Sequence, residues 1–118
     1  MNSYLPLQRL SRYLVAYVRS GLPDLTNRQL AIMLLVAEDK EPQTVRAMAA
    51  ALNVSKPVIT RALNKLAELG YLRRQRDEAD KRNVFIAMTD KGAQFLERIE
   101  TFGGEGEQPA PDARTLYA

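Results

Sequence analysis

Polar side chains recur along the segment from Ser55 to Leu69, most of them three or four residues apart, the spacing of one face of an α-helix. The members are Ser55, Lys56, Thr60, Arg61, Asn64 and Lys65. On such a face arginine pairs bidentately with guanine, asparagine pairs with adenine, and lysine neutralises phosphate. The same composition is typical of a solvated helix face, so this segment alone leaves both interpretations open.

A second set of cations follows within ten residues: Arg73, Arg74, Arg76, Lys81 and Arg82. Segments 71–76 and 83–88 have the composition of strands, and the charged turn 77–82 joins them, so these cations are expected on a β-hairpin. A cationic ribbon can bind phosphates or enter a narrow minor groove, whereas charge on an edge hairpin can also serve solubility alone. Asp80 is expected to hold a neighbouring arginine through a charge-assisted hydrogen bond.

Two predicted helices joined by a tight turn would carry the polar face. Thr44 is the expected N-cap of the first helix and Ser55 that of the second, which Gly70 ends. Ala49 is small enough for the helices to cross closely, and Asn53 tolerates the left-handed conformation of the turn. Apolar residues that would fix the crossing angle are Met48, Leu52, Val54, Ile59 and Ala62. With the hairpin behind it, this pattern is typical of a winged helix-turn-helix that binds DNA, with residues 55–69 in the major groove.

Further helices are predicted on both sides. Residues 6–20 form the first, and a capping box of Thr26 with Gln29 begins the second. The second helix is apolar on nearly every side, as in the buried centre of a small domain, and Thr89 begins the last helix. The terminal helices carry apolar stripes that either form a dimer interface or close the core of the single chain. These stripes are Leu7, Leu10, Leu14 and Tyr17 on the first helix, and Phe95, Ile99 and Phe102 on the last.

The element order predicts a mainly α fold with a small β-hairpin, a winged helix-turn-helix flanked by N- and C-terminal dimerisation helices. Residues 1–24 are assigned to the N-terminal helix, 25–89 to the winged helix-turn-helix domain and 90–102 to the C-terminal helix. Residues 103–118 are predicted to be a flexible tail, because a segment rich in Gly, Pro and Glu buries too little apolar surface to order itself. Leu116 and Tyr117 of the tail could dock on a partner surface.

The chain of 118 residues contains neither cysteine nor histidine. The absence of both residues excludes disulfides, thiol chemistry, imidazole bases, and metal sites built on thiolates or histidine. We therefore expect neither an enzyme nor a bound metal or cofactor. The tail holds Glu105, Glu107 and Asp112 against Arg114, so the net charge of +3 of the whole chain leaves the body more basic, with 16 basic and 11 acidic residues. This basic excess favours an anionic partner. With no membrane-spanning run and no signal-peptide pattern, the chain is predicted to be cytoplasmic.

The stretch from Leu25 to Phe102 resembles the MarR family of bacterial winged-helix regulators. The matching segments are LTNRQLAIMLLVAE, LNVSKPVITRALNKLAELGYLRR and RDEADKRNVFIAMTDKGAQFL. The second resembles the family's recognition helix, and DEADKR resembles its wing-tip motif, where an acidic residue and a following arginine recur. The resemblance implies a homodimer on a palindromic operator, Arg82 in the minor groove and Asp80 bracing the wing. It places in the major groove Ser55, Pro57, Thr60 and Arg61.

We therefore predict a sequence-specific regulator of transcription, with repression the expected mode, and keep as the alternative a winged-helix adaptor that binds an acidic protein instead of DNA. The predicted DNA-binding residues are Thr44, Ser55, Lys56, Pro57, Thr60, Arg61, Asn64, Lys65, Arg74, Arg76, Lys81 and Arg82. Many members of the family bind small aromatic acids, so an aromatic effector is a further expectation. Tyr4, Tyr13 and Tyr17 would line its site or serve as packing residues. Family members usually dimerise through a long helical C-terminal region, whereas the segment after residue 102 is rich in Gly and Pro and is not predicted to be a helix. The two terminal stripes are therefore expected to pair in the dimer.

Overall fold

The computed structural model describes residues 5–103, with side chains from residue 6 onward. The predicted order of four helices, two strands and a final helix is confirmed. The elements are α1 (Leu5–Arg19), α2 (Asn27–Glu38), α3 (Val45–Leu52), α4 (Lys56–Glu68), β1 (Leu72–Arg76), β2 (Val84–Met88) and α5 (Asp90–Phe102). Tyr4 and nearly all of the predicted tail, with Leu116 and Tyr117, lie outside the described residues. Among residues 5–103, no helix combines the length and the apolar character needed to span a bilayer.

The contacts divide the chain into two units. Residues 25–95 form one, and the described part of the other consists of 5–24 and 96–103. The division falls inside α5, whose first residues belong to the same unit as α2, α3, α4 and the hairpin. The assignment of all of 90–102 to dimerisation therefore stays a prediction.

Local hydrogen bonds set the helix ends of the 25–95 unit. Thr26 and Gln29 form the predicted capping box, and Asn53 ends α3 in the left-handed conformation with φ 55°. α4 ends in a Schellman motif, in which Gly70 N–H donates to the Ala67 carbonyl and Tyr71 N–H to the Leu66 carbonyl, both at 2.9 Å. Gly70 takes a φ of +80°, which suits glycine and costs any other residue.

The capping prediction for Ser55 needs a correction. Ser55 occupies the N-cap position in extended conformation, but its side chain makes no capping hydrogen bond. An N-cap oxygen normally accepts from the second or third helical N–H. Pro57 at the second position has no N–H, and the N–H of Val58 at the third position makes no bond to the Ser55 side chain. The start of α4 therefore depends on the fixed φ of proline and on packing.

The core of this unit is formed by one face of each helix. The side chains that are almost completely buried are Ile32, Met33, Met48, Ile59, Leu63 and Leu66. The prediction that α2 is buried on nearly every side is wrong, since only Ile32 and Met33 are buried and Leu34 is 38% exposed. A unit of this size has too few elements to surround a helix, so the second apolar face stays at the surface.

The hairpin is antiparallel, and its register pairs Leu72 with Met88 and Arg76 with Val84. Each strand begins one residue later than predicted. Tyr71 is excluded from β1 because its N–H donates to the Leu66 carbonyl at the end of α4, and Asn83 is excluded from β2 because its N–H donates to the Asp80 carbonyl within the turn. Buried Gln43 adds an isolated bridge to Ile86, whose N–H donates to the Gln43 carbonyl at 2.9 Å. The sequence indicated only a polar turn before α3.

The start of α5 is held against the residues that join α4 to β1. The Thr89 hydroxyl donates to the Gly70 carbonyl at 2.5 Å, lies 3.0 Å from the Tyr71 carbonyl and accepts from Gly92 N–H at 3.0 Å. The rings of Tyr71 and Phe95 stack with centroids 4.5 Å apart. The base of the hairpin and the first turns of α5 therefore pack as one piece.

In the other unit, Tyr17 is buried and its hydroxyl donates to the Pro23 carbonyl at 2.6 Å. Its ring stacks on Phe102, with centroids 6.2 Å apart. Three of the predicted stripe positions remain exposed, Leu7 by 62%, Leu10 by 51% and Leu14 by 45%, and Val18 of the same helix is exposed as well. Tyr17, Phe95 and Ile99 are each buried within the single chain, so for them the core alternative applies. For the exposed leucines the dimer stays a prediction.

Candidate nucleic-acid interface

The exposed face of α4 is created by the burial of its opposite face. Ile59, Leu63 and Leu66 point into the core, which turns the intervening polar residues outward. These outward residues line a shallow, open concavity of about 480 Å³: Lys56, Pro57, Thr60, Arg61 and Asn64. Every one of them is exposed. The arrangement presents hydrogen-bonding groups and two cations on the exposed side of a helix, and a major groove is wide enough to admit an α-helix.

Three other predicted residues lie outside this concavity. Thr44 is half-buried at the start of α3, where its hydroxyl accepts from Ala47 N–H at 3.1 Å. Ser55 is exposed directly before α4. Lys65 lies 3.8 Å from Glu68 in a solvent-exposed ion pair, a geometry that contributes little stability and leaves the lysine able to bind phosphate.

The tip of the hairpin is ordered by hydrogen bonds within the turn. Asp77 N–H donates to the Asn83 carbonyl at 3.0 Å, and the Asp77 carboxylate accepts from Ala79 N–H at 2.9 Å. Arg76 donates through Nη1 to the Lys81 carbonyl at 3.4 Å. These bonds hold the four predicted wing cations on a formed hairpin, all of them exposed: Arg74, Arg76, Lys81 and Arg82.

Asp80 and Arg82 form a bidentate pair at the wing tip. Nε and Nη2 of Arg82 donate to the two carboxylate oxygens of Asp80, each at 3.0 Å, and Arg82 N–H donates to the same carboxylate at 3.1 Å. The Arg82 side-chain and backbone hydrogen bonds lower the pKa of Asp80, and Asp80 raises the pKa of Arg82. The pair therefore stays charged at neutral pH. This is the geometry that the predicted bracing role requires; the role itself, and the minor-groove contact of Arg82, stay predictions.

One contact in the site was missed from the sequence. Nη2 of Arg74 donates to Oδ1 of Asn64 at 2.9 Å, which joins the end of the polar face of α4 to the first strand. The sequence predicts both residues as DNA-binding residues and gives no sign that they contact each other. Only the alternation of β1, which puts Arg74 on the same side as buried Leu72, could have pointed to it.

Within the part of the chain that the structure describes, no group of three or more His, Cys, Asp or Glu residues is placed to hold a metal ion. The candidate site consists of the exposed side chains of α4 and the cations of the wing. A helix-turn-helix with a charged hairpin directly behind it defines a winged-helix protein.

Comparison with known proteins identifies the family within this class. The sequence model of a protein family described as MarR family matches residues 23–83, which are just over half of the chain. The chain therefore belongs to the MarR family. This is a family of transcription regulators rather than a class of enzymes. The transcriptional regulator HosA of Escherichia coli O157:H7 is 32% identical over 90 residues, which cover 76% of this chain and 66% of HosA. The chain thus spans slightly less than two-thirds of the length of that relative.

Solved structures show the same fold. The transcriptional regulator Tm0710 of Thermotoga maritima superposes with a TM-score of 0.71 at 23% identity, covering 84% of this chain and 67% of that one. CouR of Rhodococcus jostii RHA1, in a structure bound to p-coumaroyl-CoA, superposes with a TM-score of 0.65 at 26% identity. The superposition covers 86% of this chain and 68% of CouR. The winged-helix fold and the family predicted from the sequence are both confirmed.

Proposed function

We propose that the chain is a sequence-specific regulator of transcription that binds double-stranded DNA and acts as a repressor in the cytoplasm, without catalytic activity. The observation that carries this proposal is the exposed polar face of α4 beside a hairpin with five exposed cations, in a chain of the MarR family. α4 would enter the major groove, and the wing would lie on the backbone or in the minor groove.

A salt titration of binding to duplex DNA tests this function. We expect the logarithm of the binding constant to fall linearly with the logarithm of salt concentration, by about 0.9 for each phosphate neutralised. Fluorescence anisotropy with a labelled duplex, repeated across salt concentrations, provides the slope. Absence of measurable duplex binding at low salt would contradict the proposal and favour the adaptor, whose partner would be an acidic protein.

We further propose that two copies associate through α1 and bind a palindromic operator. The support is a stripe of exposed apolar side chains at helical spacing: Leu7, Leu10, Leu14 and Val18. Two such stripes packed against each other would remove this surface from water. The pairing of α1 with the last helix, expected from the sequence, is replaced by pairing of α1 with α1, because Tyr17 already stacks on Phe102 within one chain.

Sedimentation at micromolar concentration checks this dimer. The chain is expected to sediment at about twice its mass of 13.3 kDa, and Leu10→Asp is expected to shift it to the monomer because a charge would be buried at the interface. Gln8→Asp on the same helix, outside the stripe, is the matched control and keeps the dimer. A monomer at every concentration of the unmodified chain would refute the interface.

A small aromatic effector stays a proposal with two supports. CouR is bound to p-coumaroyl-CoA in its structure. In this chain Nε of Arg12 and the hydroxyl of Tyr13 are buried with no hydrogen-bond partner among the described residues. Burial, and to a lesser degree the neighbouring Tyr17, raise the pKa of Tyr13, so its hydroxyl stays protonated and able to donate. A carboxylate on the effector would accept hydrogen bonds from both of these donors.

A further inference from the structure

Asn64 lies at the end of the polar face of α4, one turn after Thr60 and Arg61. Its position on the helix alone would predict that Asn64 contacts a base, because asparagine recognises adenine with its side-chain carbonyl and amino group together. Its carbonyl oxygen, however, already accepts a hydrogen bond from Nη2 of Arg74 at 2.9 Å. A guanidinium is a donor only, so this contact requires the oxygen end of the amide to point at Arg74.

The strand register explains why Arg74 reaches α4. Arg74 pairs with Ile86, and opposed residues of an antiparallel pair share one side of the sheet, so Arg74 is on the side of buried Leu72 and Ile86. Arg74 itself is exposed, since the hairpin extends past the edge of the core. At that edge the neighbour available on its side of the sheet is α4, and Asn64 is the residue it meets.

We infer that Asn64 is a positioning residue that orients Arg74 for a phosphate contact, and that base reading falls to Thr60 and Arg61. This inference rests on the proposed function and names the residues that determine which DNA sequence the protein prefers. A charge-assisted hydrogen bond limits the rotamers of the long arginine side chain before DNA arrives. The other guanidinium N–H groups stay available for phosphate oxygens, which carry no sequence information.

Two substitutions at Asn64 separate positioning from base reading. Asn64→Ala removes the acceptor, whereas Asn64→Asp keeps an acceptor for Arg74 but cannot donate to N7 of adenine. Binding is measured on a duplex that the unmodified protein selects from a randomised pool, and on each single-base-pair variant of that duplex. Gln94→Ala and Arg98→Ala, exposed positions of α5, are the matched amide and arginine controls.

We expect Asn64→Ala to weaken binding by about 3- to 10-fold, and by the same factor on every duplex. Arg74→Ala is expected to do the same, and the double variant to bind no more than about twofold more weakly than Arg74→Ala, because the two residues act together. Asn64→Asp is expected to keep the ranking of base preferences. Its added negative charge weakens binding to all duplexes equally, so the ranking is unaffected.

Two results would overturn the inference. The first is a variant, Asn64→Ala or Asn64→Asp, that loses the preference for adenine at a base pair where the unmodified protein selects adenine. The second is full additivity of the effects of the Asn64 and Arg74 substitutions on binding. Failure of the unmodified protein to select any duplex would instead refute the proposed function, and this inference with it. Circular dichroism of each variant confirms that the compared proteins are folded.

Discussion

Replacing Arg61 by alanine is expected to weaken binding to the selected duplex by about 1–3 kcal/mol and to relax the preference at one base pair. Arg61 is exposed on the groove-facing side of α4, and within residues 5–103 its side chain makes no hydrogen bond or ion pair. It is therefore available to donate both ends of its planar fork to the O6 and N7 atoms of a guanine. Dissociation constants on the selected duplex and its single-base-pair variants provide the measurement.

The matched variant for this test is Arg61→Lys. Lysine keeps the positive charge but loses the planar fork, so the salt dependence of binding should be unchanged while the preference for one base pair falls. Equal loss on all duplexes in Arg61→Ala, with no change in preference, would make Arg61 a phosphate contact. In that case Thr60 and the residues at the start of α4 would be left as the candidates for base reading.

The largest expected loss of stability comes from Gly92→Ala. A Cβ atom at this position would lie 2.2 Å from the Tyr71 carbonyl oxygen and 2.8 Å from the Met88 sulfur. The carbonyl belongs to the backbone that links α4 to β1 and is held by Thr89 N–H at 3.1 Å, so it cannot move away without breaking the junction. We expect the free energy of unfolding to fall by about 3 kcal/mol, as for an overpacked core position.

Chemical denaturation monitored by circular dichroism measures this effect. Gly103→Ala is the matched control, because a Cβ atom there meets no atom within 4 Å, and it is expected to change stability by less than about 0.5 kcal/mol. Equal stability of the Gly92→Ala and Gly103→Ala variants would show that α5 does not pack closely on Tyr71. The position of the wing depends on this junction, since β1 begins directly after Tyr71.

Much of the helix-turn-helix could be predicted because its signals are local. The capping box at Thr26, the left-handed Asn53 and the glycine that ends α4 act on residues within one or two turns of themselves. The inward face of α4 follows from helical spacing of large apolar residues. Ser55 is the exception among the caps: Pro57 removes one of its two possible donors, and the other, the N–H of Val58, does not bond to the Ser55 side chain.

Contacts between distant elements could not be predicted in the same way. The bridge from Gln43 to Ile86 and the hydrogen bond from Arg74 to Asn64 depend on how the hairpin is placed against the helices. The need for glycine at position 92 has the same origin, because the obstacle is a backbone oxygen twenty-one residues earlier in the chain. No periodicity within a single segment carries that information.

The polar face of α4 and the cations of the wing, the features that suggest DNA binding, were determined by the sequence itself, through helical and strand periodicity. Tertiary structure decided which members of that set stand alone and which act in pairs, as Asn64 does with Arg74 and Asp80 with Arg82. It also decided which apolar side chains are buried in the core, as Tyr17 is, and which remain exposed, as Leu7 does. The physical reason is that spacing along the chain specifies only the face of an element, while packing specifies what that face meets.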